Sequence, residues 1–465
     1  MLFFGTFFVC AILSFAQNTQ NQNQTLDQQF QSAVAQYYEG KFAEAAVQLE
    51  NLLPLVPKSF EVHELLGLVY AAQSQDEKAV EHLEIAVRLQ PESAAARTNL
   101  AAALYHSGKL EPAEEQFRKA LALEPQNYDA NHNLGEFYIR SGKIADAAPL
   151  LEKAQNVQPS SYDNGYDLVL AYFLTGKPNQ ARQLAQKLLQ QKNTGELHSL
   201  LGQVDEKDGK FVEAANEYQT AAQLDPSEEN LFDWGSELLL HRTYDPAIDV
   251  FEQAVQRYPN SQRLRIGLGM ALYSRGRYDE SVKSLLTAAN LNPSDPRCYF
   301  FLFKAYSSSP NNAEDVIQIF RHFSELQPNN AQAVYYYAMS MWKGKQNESS
   351  SPDFEQIKSL LEKAIALDPK LADAHAQLGN VYAEQHAYDK AIPEYTRALE
   401  LNPNLPDTHY RLGVAYSRTG QKDRAQGEFD LYQKLRAQHL AEVDKERAEV
   451  QQFVYAEKTT PASKQ

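Results

Sequence analysis

The stretch from residue 128 to residue 159 alternates apolar and polar positions with the period of an α-helix. Leu134, Gly135 and Tyr138 lie at i, i+1 and i+4, and after a gap Ala147, Leu151 and Ala154 lie at i, i+4 and i+7. Gly142 interrupts the pattern, and Pro159 cannot continue the second helix. The pattern therefore predicts two amphipathic helices joined by a turn. Their backbones can approach closely, because Gly135 and Ala147 are both small.

The same pattern recurs along the chain at a fixed interval. Prolines follow the second predicted helix at steps of 34 residues, at Pro57, Pro91, Pro125 and Pro159. The series gives about twelve predicted units over residues 26–437. Between Pro328 and Pro369 the step grows to 41 residues, and the extra residues fall in 343–353. Ser, Asn, Gly and Pro in that segment predict a lengthened turn between two helices.

This period, combined with this order of small and large positions, resembles the tetratricopeptide repeat family. The resemblance implies an all-α fold in which helix-turn-helix units stack as a right-handed superhelical solenoid. It also implies that the first helix of each unit lines a concave groove that holds a partner. The charged residues 438–456 are expected to form a helix that caps the last unit, and residues 457–465 are expected to be a frayed tail.

The first 16 residues are mainly apolar, but this run is shorter than the roughly 20 residues of a membrane-spanning helix. Ser14-Phe15-Ala16 matches the small-x-small pattern of a cleavage site, so residues 1–16 are predicted to be a secretory signal peptide. This predicts a periplasmic or secreted protein. Because no Lys or Arg stands near Met1, an uncleaved membrane anchor remains the alternative. The Gln/Asn-rich residues 17–25 are predicted to be a disordered leader.

The charge balance bears on the kind of partner. The chain carries 60 acidic and 44 basic residues, for a formal net charge of −16. Such a surface repels nucleic acid and anionic lipid, so neither is an expected partner. With 26 Tyr and 22 Phe, the chain is also too aromatic for a disordered protein. The expected partner is a protein or a peptide.

No motif for catalysis or metal binding emerges from the chain. His63-Glu64 lacks the second histidine of a zinc-protease motif, and no Gly-x-Ser-x-Gly sequence occurs. The recurrent Gly-Lys pairs lack the earlier glycine and the following Ser or Thr of a phosphate-binding loop. Cys10 and Cys298 are too few for a cysteine metal cluster. We therefore expect no cofactor and no enzymatic activity.

The resemblance also indicates which side chains face the groove. They are rich in aromatic rings and include Tyr37, Tyr105, His132, Asn133, Tyr166, Phe173, Phe232, Tyr273, Phe300, Tyr335, Tyr336, Trp342 and Tyr410. About half of them are expected to pack between units instead of binding a partner. The predicted partner-binding groove, where aromatic rings are densest and turns irregular, comprises Tyr273, Arg297, Phe300, Lys304, Tyr335, Tyr336 and Trp342. The alternative location is around Tyr105, His132 and Tyr166.

These features predict a non-enzymatic scaffold for protein-protein interaction that is exported and holds a partner protein or peptide in its groove. The alternative is a periplasmic subunit of a polysaccharide-export or envelope-assembly machine. An enzyme subunit that uses groove residues is a third interpretation, which the lack of a catalytic motif disfavours.

Overall fold

The computed structural model describes residues 20–309, 311–345 and 353–437, and these ranges are all-α. The helices, in chain order, are α1 (Gln20–Tyr38), α2 (Phe42–Leu52), α3 (Phe60–Ala72), α4 (Asp76–Leu89), α5 (Ala94–His106), α6 (Leu110–Leu123), α7 (Tyr128–Arg140), α8 (Ile144–Val157), α9 (Tyr162–Leu174), α10 (Pro178–Gln191), α11 (Gly195–Lys207), α12 (Phe211–Leu224), α13 (Glu228–Leu240), α14 (Tyr244–Arg257), α15 (Gln262–Arg275), α16 (Tyr278–Leu291), α17 (Arg297–Ser308), α18 (Ala313–Leu326), α19 (Ala331–Lys345), α20 (Phe354–Leu367), α21 (Ala372–Glu384), α22 (Tyr388–Leu401), α23 (Pro406–Arg418) and α24 (Lys422–Ala437). The all-α prediction is confirmed, and the order of helices supplies two for each of twelve predicted units. Within the described part of the chain, no helix combines the length and the apolar character needed to cross a bilayer.

The chain divides into two compact units, one ending at Gly209 and the other starting at Lys210. Each has a hydrophobic core of its own, built where consecutive helices pack together. The predicted signal peptide at 1–16, the predicted capping helix at 438–456 and the predicted tail at 457–465 lie outside the described residues.

Local chemistry sets where the helices begin and end. The side chains of Ser93 and Asn127 cap α5 and α7, because each accepts a hydrogen bond from the backbone N–H three residues later, at 3.1 and 3.0 Å. The first helix of a pair commonly ends at a left-handed residue, as at Gly142 with a φ of +74°. Only glycine adopts that conformation without strain, which explains why glycine recurs at this place.

A further hydrogen bond, absent from the sequence prediction, holds the loop before six of the first helices. The carbonyl of the repeat proline accepts from a side chain six residues later, in the pairs Pro57–His63, Pro91–Arg97, Pro125–Asn131, Pro293–Tyr299, Pro369–His375 and Pro403–His409. The second ring nitrogens of His375 and His409 contact Glu394 and Glu428 on the following helix, at 2.7 and 2.6 Å. These histidines therefore have a structural role in joining loop to hairpin.

Two predicted boundaries are wrong. Helix α1 begins at Gln20 rather than near residue 26, so the predicted disordered leader at 17–25 is helical from Gln20 onward. Glutamine is a good helix former, so a Gln-rich polar segment can still be helical. Helix α19 runs through Lys345, so the predicted turn at 343–353 cannot start at Lys343. A Cβ on Gly344 would lie 2.9 Å from Ile317 Cδ1, which shows that this glycine serves close helix packing rather than a turn. Residues 346–352 lie outside the described residues.

The predicted pairing of small with large residues sets the distance between helices. A Cβ built on Gly135 would lie 2.7 Å from Cγ and Cδ2 of Leu151, so no side chain fits there without displacing that leucine. In the second unit, the ring of Phe251 packs against two glycines in the same way. Added Cβ atoms on Gly235 and Gly267 would lie 2.8 and 2.6 Å from that ring. Each glycine thus makes room for one large, buried side chain.

Substituting Gly135 with leucine should destabilise the α7–α8 hairpin by roughly 1–3 kcal/mol through overpacking. Leu151 has no room to move away, because it is fully buried. Gly427 offers a matched control, since nothing lies within 4 Å of an added Cβ there. Gly427→Leu should stabilise α24 by about 0.5–1 kcal/mol through better helix propensity. Hydrogen exchange of peptides from each hairpin measures both effects, and equal protection of α7 in Gly135→Leu and the wild type would contradict this packing register.

Candidate functional site

The aromatic site predicted in the second unit is largely buried. Tyr335 and Tyr336 are 4% exposed and Trp342 is 8% exposed, so the prediction that these rings face a groove is wrong. The ring of Tyr336 stacks on Phe303 with centroids 4.7 Å apart, and Trp342 packs 5.6 Å from Phe354. Because α19 is apolar on nearly all sides, its neighbours cover the rings on every face.

The other four predicted site residues are more accessible. Tyr273 is half-buried against Tyr278, with ring centroids 5.5 Å apart. Lys304 places its Nζ 5.2 Å from the centre of the half-buried Phe300 ring. Arg297 donates hydrogen bonds to the carboxylate of Asp295, the shortest being 2.6 Å, so its charge is already compensated. The structure therefore does not bring the seven residues together as one binding surface.

Across the wider set of predicted groove residues, close to half are buried: His132, Asn133, Phe232, Tyr335, Tyr336 and Trp342. These six side chains are not accessible to a partner. The half-buried members include Tyr105 and Tyr166 in the first unit, which belong to the alternative location predicted from the sequence. In that unit the structure contains a groove with the volume of a ligand pocket.

The groove, called the α3–α7 groove below, lies among the first turns of α3, α5 and α7 and the loops that precede α5 and α7. Its volume is about 660 Å³. Phe60, Tyr128 and Val157 supply apolar surface, and Thr98 and Asn99 supply hydrogen-bonding groups. A volume of this order lies within the roughly 300–1,000 Å³ of typical ligand pockets, so the groove can hold a few residues of an extended peptide.

The alternative location predicted from the sequence borders this groove through His132. The His132 ring stacks on Tyr128, with centroids 5.4 Å apart and planes 15° apart. The hydroxyl of Tyr128 shares a hydrogen bond of 2.7 Å with Ser161. These two contacts fix the Tyr128 ring at the wall of the groove. His132 does not line the groove itself but holds Tyr128, which does.

The groove is acidic. Among the described residues that line it, four are carboxylates and none is basic: Glu61, Glu64, Glu124 and Asp129. Burial raises the pKa of Asp129. The acidity continues onto the next first helix, where burial and the charge of Glu136 raise the pKa of Asp167 to about 7. Arg140 is close to these groups, but it already donates to Glu136 at 2.7 and 2.9 Å.

Glu64 is the most deeply placed of the four carboxylates, with 9% exposure. Asn99 donates a hydrogen bond of 3.2 Å to its Oε1, while Oε2 has no hydrogen-bond partner among the described residues. Burial is the main effect that raises the Glu64 pKa to about 7, and the negative charge of Glu61 adds to it. The hydrogen bond from Asn99 acts in the opposite direction. Sequence reasoning had considered Glu64 only as part of an incomplete zinc motif. In the described ranges, no group of three or more His, Cys, Asp or Glu residues could hold a metal ion.

Models of the tetratricopeptide repeat match most of the chain. The matched segments, under the descriptions "Tetratricopeptide repeat" and "TPR repeat", are residues 30–83, 77–128, 108–156, 139–204, 238–299, 360–392 and 379–420. Among curated proteins, the TPR repeat-containing protein YpiA of Bacillus subtilis is 27% identical over 150 residues. That alignment covers 32% of this chain and only 33% of the relative, so it spans about a third of each.

The solved structures that this chain resembles match it at low identity and with TM-scores below 0.5. PilW, described as a widely conserved type IV pilus biogenesis factor, is 21% identical with a TM-score of 0.41, over 44% of this chain and 96% of that one. PilF of Pseudomonas aeruginosa is 24% identical with a TM-score of 0.38, over 44% of this chain and 94% of that one. At this level of identity, the likeness concerns the fold alone.

Proposed function

Because the chain belongs to the tetratricopeptide repeat proteins, which generally mediate protein-protein interaction, we propose that it is a non-enzymatic, exported scaffold that holds a partner protein in the α3–α7 groove. The groove itself carries the proposal. It combines apolar anchors with hydrogen-bonding groups on the first turns of three packed helices, which is the composition of a recognition site.

The rigidity of the groove walls supports binding. Asn99 is 5% exposed and holds Glu64, while Tyr128 is held by His132 and Ser161. Side chains fixed in this way lose little further freedom when a partner binds, so more of the interaction free energy appears as affinity. A segment entering this groove would meet a surface that is already in place.

Two parts of the proposal rest on the sequence. Export rests on the signal-peptide pattern of residues 1–16. The non-enzymatic role rests on the lack of a catalytic motif in the sequence. Fractionation of source cells tests export, and recovery of the full chain in the cytoplasm alone would contradict it. A hydrolase screen of the purified chain tests the second part.

A photo-reactive residue placed inside the groove tests the binding role. Ala95 is exposed and lines the groove, whereas Glu81 is exposed on α4 and does not line it. We expect benzoylphenylalanine at position 95 to cross-link a discrete protein in source cells, and the same residue at position 81 to leave it uncaptured. The captured protein, once purified, should bind the intact chain. Equal capture from both positions would remove the groove as the binding surface.

A further inference from the structure

We propose that the segment bound in the α3–α7 groove is basic, and that an arginine or lysine side chain from the partner pairs with Glu64. This inference rests on the proposed function, because it names the chemistry of the partner that the same groove would hold. A basic segment is the opposite of what the predicted groove, with its basic residues Arg297 and Lys304, would select.

The burial of Glu64 favours a cationic ligand. A buried carboxylate is costly to keep unless it is paired with a cation and hydrogen-bonded. Glu64 is nine-tenths buried, receives one hydrogen bond from Asn99, and has no cationic partner among the described residues. Glu64 lines a groove that is open to a ligand. An incoming guanidinium or ammonium group would supply the missing charge and the missing hydrogen bond together.

The helix N-termini at the groove carry partial positive charge and disfavour a cation. Their charge is too small to outweigh the carboxylates of the groove. Helices α3, α5 and α7 all begin there, and each terminus is equivalent to roughly half a positive charge. Three such termini amount to about +1.5, against four carboxylates among the lining residues. Part of each terminus is also satisfied by the caps Ser59, Ser93 and Asn127. The groove therefore remains net negative.

The apolar walls favour long basic side chains in particular. Lysine and arginine carry aliphatic stems that can cover apolar surface while the charged end stays with a carboxylate. Phe60 and Val157 offer such surface, and the Tyr128 ring offers a face for a cation. Arginine fits best, because its planar group can bind a carboxylate with two hydrogen bonds and stack on a ring. The occupant is thus an extended protein segment with basic and aliphatic residues.

Fluorescence anisotropy with defined peptides tests this chemistry. The probe is a labelled ten-residue peptide of alanine and leucine that carries two arginines, compared with peptides that carry glutamine or glutamate at the same places. We expect the intact chain to bind the arginine peptide at least tenfold more tightly than the glutamine peptide, and to bind the glutamate peptide least. The affinity for the arginine peptide should fall as salt is raised.

Variants of the intact chain locate the effect. Glu64→Gln keeps the shape of the side chain and its ability to accept from Asn99, yet removes the charge; it should weaken binding of the arginine peptide at least tenfold. Glu81→Gln makes the same change in net charge at an exposed position outside the groove and should change the affinity less than twofold. Circular dichroism of both variants establishes that each is folded.

Several results would overturn the inference. If Glu64→Gln and Glu81→Gln weaken binding equally, the peptide responds to overall charge and not to the groove. If the glutamine or glutamate peptide binds as tightly as the arginine peptide, or if the protein captured from position 95 docks through an acidic segment, the groove binds proteins but the basic preference is wrong. If spermine binds and none of the peptides does, the site takes a small polyamine. If neither peptide nor protein binds, the proposed function fails as well.

Discussion

Replacing Phe251 with alanine should lower the free energy of unfolding of the second unit by about 3–5 kcal/mol. The Phe251 ring is fully buried and fills the space between α13 and α15. Gly235 and Gly267 face it from either side, and neither has a side chain that could move into the cavity left by the ring. The loss should therefore lie near the full cost of an unfilled cavity.

Tryptophan fluorescence measures this loss selectively. The chain has two tryptophans, Trp234 and Trp342, and both lie in the second unit, so a urea titration followed at these residues reports on that unit. Phe211→Ala is the matched control: the ring of Phe211 is 44% exposed, and its removal should cost less than about 1 kcal/mol. Equal losses in the two variants would contradict the packing of Phe251 between glycines.

The second large effect concerns Glu64 and pH. Its pKa is raised to about 7 in the folded chain, against roughly 4.3 in an unfolded one. Between these two values the folded state holds the proton more tightly, so stability falls as pH rises through this window. Above about pH 7 the cost reaches roughly 3–4 kcal/mol. Glu64→Gln, which cannot titrate, should be more stable than the wild type by up to that amount at pH 8 and about equal to it at pH 4.

Hydrogen exchange of α3 and α5 peptides, corrected for the intrinsic effect of pH, measures this difference within the first unit. The control is again Glu81→Gln, which should follow the wild type across the range, because its side chain is exposed. If the Glu64→Gln variant is less stable than the wild type at pH 8, the ionised carboxylate stabilises the fold. The inference that Glu64 is kept for binding a cation would then fail.

The two expectations for Glu64→Gln have opposite signs, which makes them informative together. A residue kept for structure should lose stability when it is changed, whereas a residue kept for binding can gain stability while it loses affinity. The raised Glu64 pKa also implies that binding of a basic segment strengthens between about pH 6 and pH 8, as the carboxylate ionises. The affinity of the arginine peptide at these two pH values checks this.

The packing between helices could be predicted from the sequence because the repeat period fixes it. Gly135 and Ala147 occupy positions that recur in unit after unit, and the structure brings their helices together as predicted, with an added Cβ on Gly135 only 3.6 Å from the Ala147 carbonyl oxygen. The left-handed conformation at Gly142 follows in the same way from its place at the end of a helix. Period and residue size are both local properties, so a sequence can reveal them.

The site could not be predicted in the same way, because exposure depends on neighbouring helices. Tyr335, Tyr336 and Trp342 have the spacing of groove residues, but apolar neighbours cover them on every side. Glu64 carried a usable signal that was missed. Glu61, Glu64 and Asp129 lie in the early turns of first helices, and none of the groove-lining positions of the neighbouring helices carries a Lys or Arg that could compensate them.

Hydrogen exchange with and without the arginine peptide tests the central claim most directly, because one experiment covers both units of the intact chain. The account predicts added protection in the early turns of the helices that line the groove, at residues 60–64, 94–99 and 127–130, and no such protection in the Glu64→Gln variant. Protection centred on α17 and α19, where Phe300 and Tyr335 lie, would return the binding site to the aromatic region and contradict the α3–α7 groove.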